Sequence, residues 1–149
     1  MISRLVYASN ALRFIKKDDL KQIFESSSNL NSVLDITGYL YFNDRRFFQY
    51  LEGPEINVKS LYDKIARDER HDVQIYFYLE PKEERLYPNW SMNVFSRREG
   101  HDFGVDRELN RLLISFQKKS EISDKDREAV EALCRRISSA YAHLAITAG

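Results

Sequence analysis

A phenol and a carboxamide on adjacent strands can pass a proton between them, and Tyr7 and Gln49 are such a pair of residue types. Gln49 stands in the run Phe47-Phe48-Gln49-Tyr50-Leu51, where period-two alternation puts Phe47, Gln49 and Leu51 on one face of a strand. A carboxamide between two large apolar neighbours needs partners for two donors and an acceptor, because each group left unpaired there costs about 1–3 kcal/mol. The Tyr7 phenol, with an ordinary pKa of about 10, is neutral at pH 7 and offers one proton for the amide oxygen. The amide nitrogen keeps hydrogens to donate elsewhere, so the pair forms a relay with an open end. Asn31, on a preceding helix, aims a second carboxamide at the same space. Each residue also has a plain structural reading: a Tyr–Gln pair as a satisfied core contact, Asn31 as a helix C-terminal residue, Lys64 with Asp68 as a solvated helix pair, and Trp90 with Met92 as core. None of these spacings is a motif by itself. Metal and disulfide chemistry find no basis, since Cys134 is the single cysteine and His71, His101 and His143 lie far apart.

The elements that must hold these groups follow from periodicity. Ile2–Ser9 reads as a strand with Leu5, Tyr7 and Ser9 on one face and Val6 and Ala8 on the other. A helix follows from about Asp18, with Asp18 and Asp19 at its positive end and a stripe of Leu20, Ile23 and Phe24. Ser27 and Asn31 continue that stripe, and the change from apolar to polar suggests a pocket rim. Gly38–Phe42 and Phe47–Leu51 form a hairpin across Asn43–Arg46, and Pro54 opens a second helix whose buried stripe is Val58, Leu61, Tyr62 and Ile65. Val73, Ile75, Phe77 and Leu79 alternate as a fourth strand. Pro81–Asn89 reads as a loop, and Trp90, Met92 and Val94 as a fifth strand. The order β-α-β-β-α-β-β predicts an α+β, ferredoxin-like sheet with both helices on one face. That topology makes the first and third strands neighbours, which brings Tyr7 within reach of Gln49. Beyond Gly100, Leu109, Leu112, Leu113 and Phe116, then Val130, Leu133, Ile137, Tyr141 and Leu144, have helical spacing. They predict a two-helix cap on the open sheet face, so that residues 1–97 form one unit and 98–149 an extension.

Taken together in order, these residues resemble the BLUF family, blue-light sensors that use flavin. The resemblance rests on Arg4-Leu5-Val6-Tyr7-Ala8-Ser9, Asn31, Ile36-Thr37-Gly38-Tyr39-Leu40, Phe47 to Gly53, Asp68-Glu69-Arg70-His71 and Trp90-Ser91-Met92, spread over about residues 1–95. It implies a flavin between the two helices, FAD first, with FMN or riboflavin as alternatives. Gln49 would bridge Tyr7 and the flavin N5/O4 edge, and Asn31 would bond the pyrimidine edge. Ile23, Ile36, Phe47 and Ile65 would line the ring faces, while Asp68, Arg70 and His71 complete the cofactor set. Tyr7, Gln49, Trp90 and Met92 are the photoactive group that the resemblance implies. Lys64 stands where many members have Arg over the flavin O2, so a point charge replaces a planar fork. Leu30 replaces an Asn or His of several members. The remainder resembles the helical cap of stand-alone members without an enzyme domain, so a receptor is expected rather than an enzyme.

Composition bounds the alternatives. The chain has 149 residues, 43% of them hydrophobic, enough for one sizeable core, and 23 basic against 23 acidic side chains. That balance gives no field for displacing counterions, so no nucleic acid is expected. No apolar run reaches membrane-spanning length and the start lacks a signal-peptide profile, so no membrane association and a cytoplasmic location are expected. A homo-oligomer and a downstream protein partner are expected with the photoreceptor reading. The competing readings are a light-insensitive ferredoxin-like binding module and, more weakly, an acylphosphatase-type hydrolase, which lacks a glycine-rich phosphate cradle and a nucleophile with an acid–base partner.

Overall fold

The first strand, β1 (Ile2–Ala11), lies inside a five-stranded sheet completed by β2 (Thr37–Asn43), β3 (Arg46–Gly53), β4 (His71–Lys82) and β5 (Asn93–Ser96), in the order β4-β1-β3-β2-β5. The structure is a computed structural model. It describes residues 1–12, 16–89, 92–102, 104–117 and 119–148, without the side chains of residues 17, 20, 23, 24, 27, 28, 99 and 141–148. The β1, β3, β2 and β4 pairings are antiparallel, while β5 joins β2 in parallel. Helices α1 (Lys17–Val33) and α2 (Glu55–Ala66) follow β1 and β3, giving the predicted α+β order. Three further helices follow the sheet: α3 (Arg97–Asp102), α4 (Asp106–Phe116) and α5 (Asp124–Ala148).

Alternation along the strands splits the core in two. Leu5, Tyr7, Ala11, Leu40, Phe47 and Leu51 point to the face covered by α2, where Val58, Leu61 and Tyr62 join them together with Ile36 and Met92. Val6, Ala8, Tyr39, Tyr41, Phe48 and Tyr50 point the other way and pack with Leu109, Leu113 and Phe116 of α4 and Val130, Leu133, Cys134 and Ile137 of α5. The cap therefore lies on the open face, as expected.

Several local features differ from expectation, each for a physical reason. The fourth strand runs on through Pro81 to Lys82, because β4 is an edge strand and a proline there removes no ladder bond. Its residues do not share one face: Ile75, Phe77 and Leu79 pack under the cap, whereas Val73 packs on the α2 side. The cause is a register shift, with Ala8 opposite Ile75 but Ser9 opposite Val73, so that Gln74 is the extra residue. The fifth strand begins at Asn93, so Met92 only precedes it, and Trp90 lies outside the described residues. Helix α3 has no apolar stripe to betray it; Gly100 lets it approach the sheet, since a Cβ there would stand 3.0 Å from the Tyr41 ring.

Candidate functional site

Three elements deliver the central groups. Tyr7 of β1 lies directly opposite Gln49 of β3, and both side chains turn to the α2 face. The Tyr7 hydroxyl donates to Gln49 Oε1 at 2.5 Å, and Gln49 Nε2 donates to Met92 Sδ at 3.3 Å. This amide orientation suits its neighbours: the phenol has a proton to give, and a thioether can only accept. Tyr7 and Gln49 are each 4% exposed. Burial first, then the nearby Tyr62 and Asp68, holds the Tyr7 pKa far above the ordinary phenol value, so the hydroxyl keeps its proton.

Asn31 reaches the same space from the last turn of α1. That helix ends with Asp35 at φ 56°, Ile36 N–H donating to the Asn31 carbonyl at 2.8 Å and Asp35 N–H to Ser32 at 3.3 Å. Such a left-handed stop satisfies the terminal carbonyls and fixes where the helix lets go of the chain. The Asn31 side chain is buried.

Around these groups lies a cleft of about 230 Å³. Tyr7, Asn31 and Gln49 form its polar depth; Leu30, Leu40, Phe47, Leu61 and Ile65 its apolar walls; Ser26, Lys64, Asp68, Arg70 and His71 complete the lining. Cavities for whole drug-sized ligands run to roughly 300–1,000 Å³, so this volume is on the scale of a ring system.

At the cleft's edge, Asp68 lies beyond the end of α2 and pairs with Arg70 at 2.6 Å, instead of with Lys64 as helical spacing suggested. The Arg70 guanidinium holds the Asp68 carboxyl below its usual range. His71 has both ring nitrogens engaged: Nε2 with the Ile65 carbonyl and Nδ1 with Ser9 Oγ, each at 2.7 Å. A carbonyl only accepts, so Nε2 carries the hydrogen, and the ring ties the end of α2 to the sheet. The extra residue Gln74 makes this possible, because uninterrupted alternation from Tyr76, which stacks on Tyr62 of α2, would turn His71 to the cap side.

The structure thus brings together Tyr7, Asn31, Phe47, Gln49, Lys64, Ile65, Asp68, Arg70 and His71. Ile36 is buried in the same core without lining the cleft, and Met92 touches Gln49 from beside it. The side chain of Ile23 and all of Trp90 lie outside the described residues. Sequence reasoning missed Ser26, Leu40 and Leu61 as lining. Leu40 sits opposite Gln49 and Leu61 one turn before Ile65, so register and helical spacing held the signal for both.

The chemistry of this donor set fits a flavin. Two carboxamides and a phenol match a heteroaromatic edge with both imino and carbonyl groups, apolar walls match ring faces, and Lys64 in the lining offers a cationic donor to a ring carbonyl. A ferredoxin-like domain with a cleft suited to a flavin is the class that fold and cleft define. The family model described as "BLUF: Sensors of blue-light using FAD" matches residues 2–93, and the chain belongs to this family. It is a blue-light photoreceptor whose flavin is FAD, and the light-insensitive binding module finds no support.

Among similar proteins, photoactivated adenylate cyclase subunit beta of Euglena longa is 36% identical over 92 residues, which is 61% of this chain and 11% of that protein. The blue light- and temperature-regulated antirepressor BluF of Escherichia coli (strain K12) is 31% identical over 98 residues, 66% of this chain and 24% of that one. This chain therefore spans about a tenth to a quarter of the length of these relatives. The dark-state structure of the BLUF protein BlrB matches with TM-score 0.72 and 31% identity, covering 93% of this chain and 96% of that one. No described helix is long and apolar enough to cross a membrane.

Proposed function

We propose that Tyr7 and Gln49 are the photoactive pair, that Asn31, Lys64 and the walls of the cleft hold the FAD ring, and that Met92 reads the state of Gln49. The observation that carries this reading is the buried chain from Tyr7 Oη through Gln49 to Met92 Sδ. When bound, the flavin supplies blue-light absorption and an excited state that accepts an electron. Tyr7 is the nearby donor, and a phenol that has lost an electron becomes a strong acid. Gln49 Oε1 already holds the other end of that hydrogen bond, so the proton has a route out and no bare charge stays buried. Electron and proton then return to Tyr7, and nothing is consumed, which is the behaviour of a receptor.

What persists is a changed Gln49, by rotation or by tautomerisation. A rotated amide turns Nε2 toward the Tyr7 oxygen and Oε1 toward Met92, which has no proton to give. The Met92 contact is then lost, and Met92 becomes free to part from Gln49. Ile36 supports the ring site from the core, with Ile65 and Phe47 against its faces. Asp68, Arg70 and His71 fix the rim. Residues 98–149 act as the output extension, toward a protein partner in the cytoplasm and in a homo-oligomer. Nucleic acid and membrane are not part of this reading.

Tyr7→Phe tests it. The variant keeps its yellow flavin and loses the reversible red shift that blue light induces in the wild type; a normal shift in Tyr7→Phe overturns the assignment.

A further inference from the structure

Helices α3 and α4 border an open groove of about 770 Å³, on the output side of the molecule. Arg97, Arg107 and Arg111 line it, and among the described residues none of the three makes a hydrogen bond or ion pair. Elsewhere Arg4, Arg70, Arg85 and Arg136 are each paired with a carboxylate, while Arg45, Arg46, Arg98 and Arg135 are as unpaired as these three among the described residues, so it is the gathering of three on one groove that sets the site apart. In a chain with as many acids as bases, three unpaired guanidinium groups on one groove are a concentrated positive site.

The remaining lining points the same way. Asn110 Oδ1 accepts from Asn43 Nδ2 at 2.6 Å and from the Tyr41 hydroxyl at 3.3 Å. With its oxygen engaged toward the sheet, the Asn110 amide leaves its N–H donors for the groove. Ile114, 48% exposed, shares the outer face of α4 with Arg107 and Arg111, at positions i, i+4 and i+7. The groove thus offers donors along its length and one apolar contact at the end of α4.

We propose that this groove docks an acidic segment of a partner protein, its carboxylates held by the planar forks of Arg97, Arg107 and Arg111 and one apolar side chain resting on Ile114. A nucleic-acid backbone fits less well. The groove-lining Asp106 repels carboxylates and phosphates alike, so what favours the peptide is Ile114, which would find no counterpart on a sugar–phosphate backbone.

The site is wired to the cleft by a short piece of chain. Met92 leads into β5, which pairs with β2 and runs without a break into α3, whose first residue is Arg97. A change in the Gln49–Met92 contact therefore bears on one wall of the groove. The light dependence of docking, though not docking itself, rests on the photoactive role proposed above.

The test uses the full, flavin-loaded chain and a fluorescein-labelled peptide of aspartates and glutamates around a central leucine, followed by anisotropy in darkness and under blue light. A difference spectrum is recorded on every sample. The peptide binds, and its affinity changes several-fold on illumination. Arg107→Glu with Arg111→Glu weakens it by roughly tenfold or more, the scale expected when two exposed ion pairs become repulsions. Ile114→Ser weakens it without changing the salt dependence, and Lys59→Glu on α2 leaves it within about twofold of wild type. All the substituted side chains are exposed, so a wild-type red shift certifies the fold of each variant. The inference is overturned if the double reversal binds like wild type, or if a single-stranded oligothymidine binds more tightly than the peptide. A normal red shift without peptide binding sinks the groove alone, whereas a missing red shift in wild type sinks the photoactive reading.

Discussion

Raising the pH separates the buried relay described here from any account in which water reaches Tyr7. Tyr7, Tyr39, Tyr50 and Tyr87 are all at most 4% exposed, and burial is the first cause that lifts each of their pKa values far above the ordinary phenol value. A folded-state pKa raised above the unfolded one gives stability that is full below the unfolded pKa and is lost as pH rises. Because the folded values lie so high, the unfolded chain alone sets the loss. With an unfolded pKa of about 10, each phenol withdraws ~0.4 kcal/mol at pH 10 and ~1.4 kcal/mol at pH 11. Four of them together withdraw ~1.6 and then ~5.6 kcal/mol, against a typical total stability of about 5–15 kcal/mol. The light-induced red shift should therefore keep its amplitude to about pH 10 and disappear only together with the far-ultraviolet circular dichroism signal, at about pH 11 for a total stability of about 5 kcal/mol and about pH 12 for one of about 10 kcal/mol. An amplitude that titrates with a midpoint of about 10, while the fold and the bound flavin stay intact, refutes the burial argument for Tyr7.

Three substitutions test other parts of the structure. Glu52 is fully buried, and each of its carboxylate oxygens accepts one hydroxyl and one backbone N–H: Tyr50 at 2.8 Å with Leu86 at 3.0 Å, and Thr37 at 3.1 Å with Tyr87 at 2.7 Å. Glu52→Gln faces one of those N–H groups with an NH2 in either orientation, for a loss of about 2–4 kcal/mol in urea unfolding; a loss below about 0.5 kcal/mol would contradict the network. Met92→Leu keeps the volume and removes the sulfur acceptor, so the red shift survives while dark recovery changes several-fold, on the scale of ~1 kcal/mol. An unchanged recovery rate would show that Met92 does not read Gln49. In the two-residue hairpin turn Asp44 and Arg45 have φ of 49° and 71°, and Arg45→Gly removes the left-handed cost there, raising stability by about 0.5–1 kcal/mol in thermal melts. A lower melting temperature would mean that the arginine side chain contributes more than the strain costs.

The Tyr7–Gln49 contact was legible in the sequence because only two regularities produce it: alternation chooses the face, and the β-α-β-β order makes the strands neighbours. His71 was not legible as a tie between α2 and the sheet, since its orientation depends on Gln74 as one extra residue, which no period reveals. Glu52 shows the same limit from another side. Alternation places it with Phe48 and Tyr50 on the cap face, but two of its four partners are backbone N–H groups of a loop, invisible to residue type. Lys64 and Asp68 have the spacing of a helical pair, yet α2 ends at Ala66, and a boundary two residues off is enough to give Asp68 to Arg70.

Strand β3 carries Gln49 on one face and Tyr50 on the other, so a change at Gln49 has two possible exits. Through Tyr50 it would have to move Arg4, which is 1% exposed and bonded to the Tyr50 hydroxyl at 2.8 Å, to the Glu80 carbonyl at 3.1 Å and to both carboxylate oxygens of Glu131 on α5. Breaking a buried ion pair of that kind costs about 3–5 kcal/mol. A rearranged neutral hydrogen bond supplies only ~1 kcal/mol, which cannot drive it. Through Met92 the signal has to replace one amide-to-sulfur contact, which is within that supply. The Arg4 network is thus the fixed frame against which the Met92 segment, β5 and α3 respond, and the response of a single chain is held to a several-fold change in any equilibrium it controls. A larger change requires either several chains acting together or a partner already poised near its own switching point.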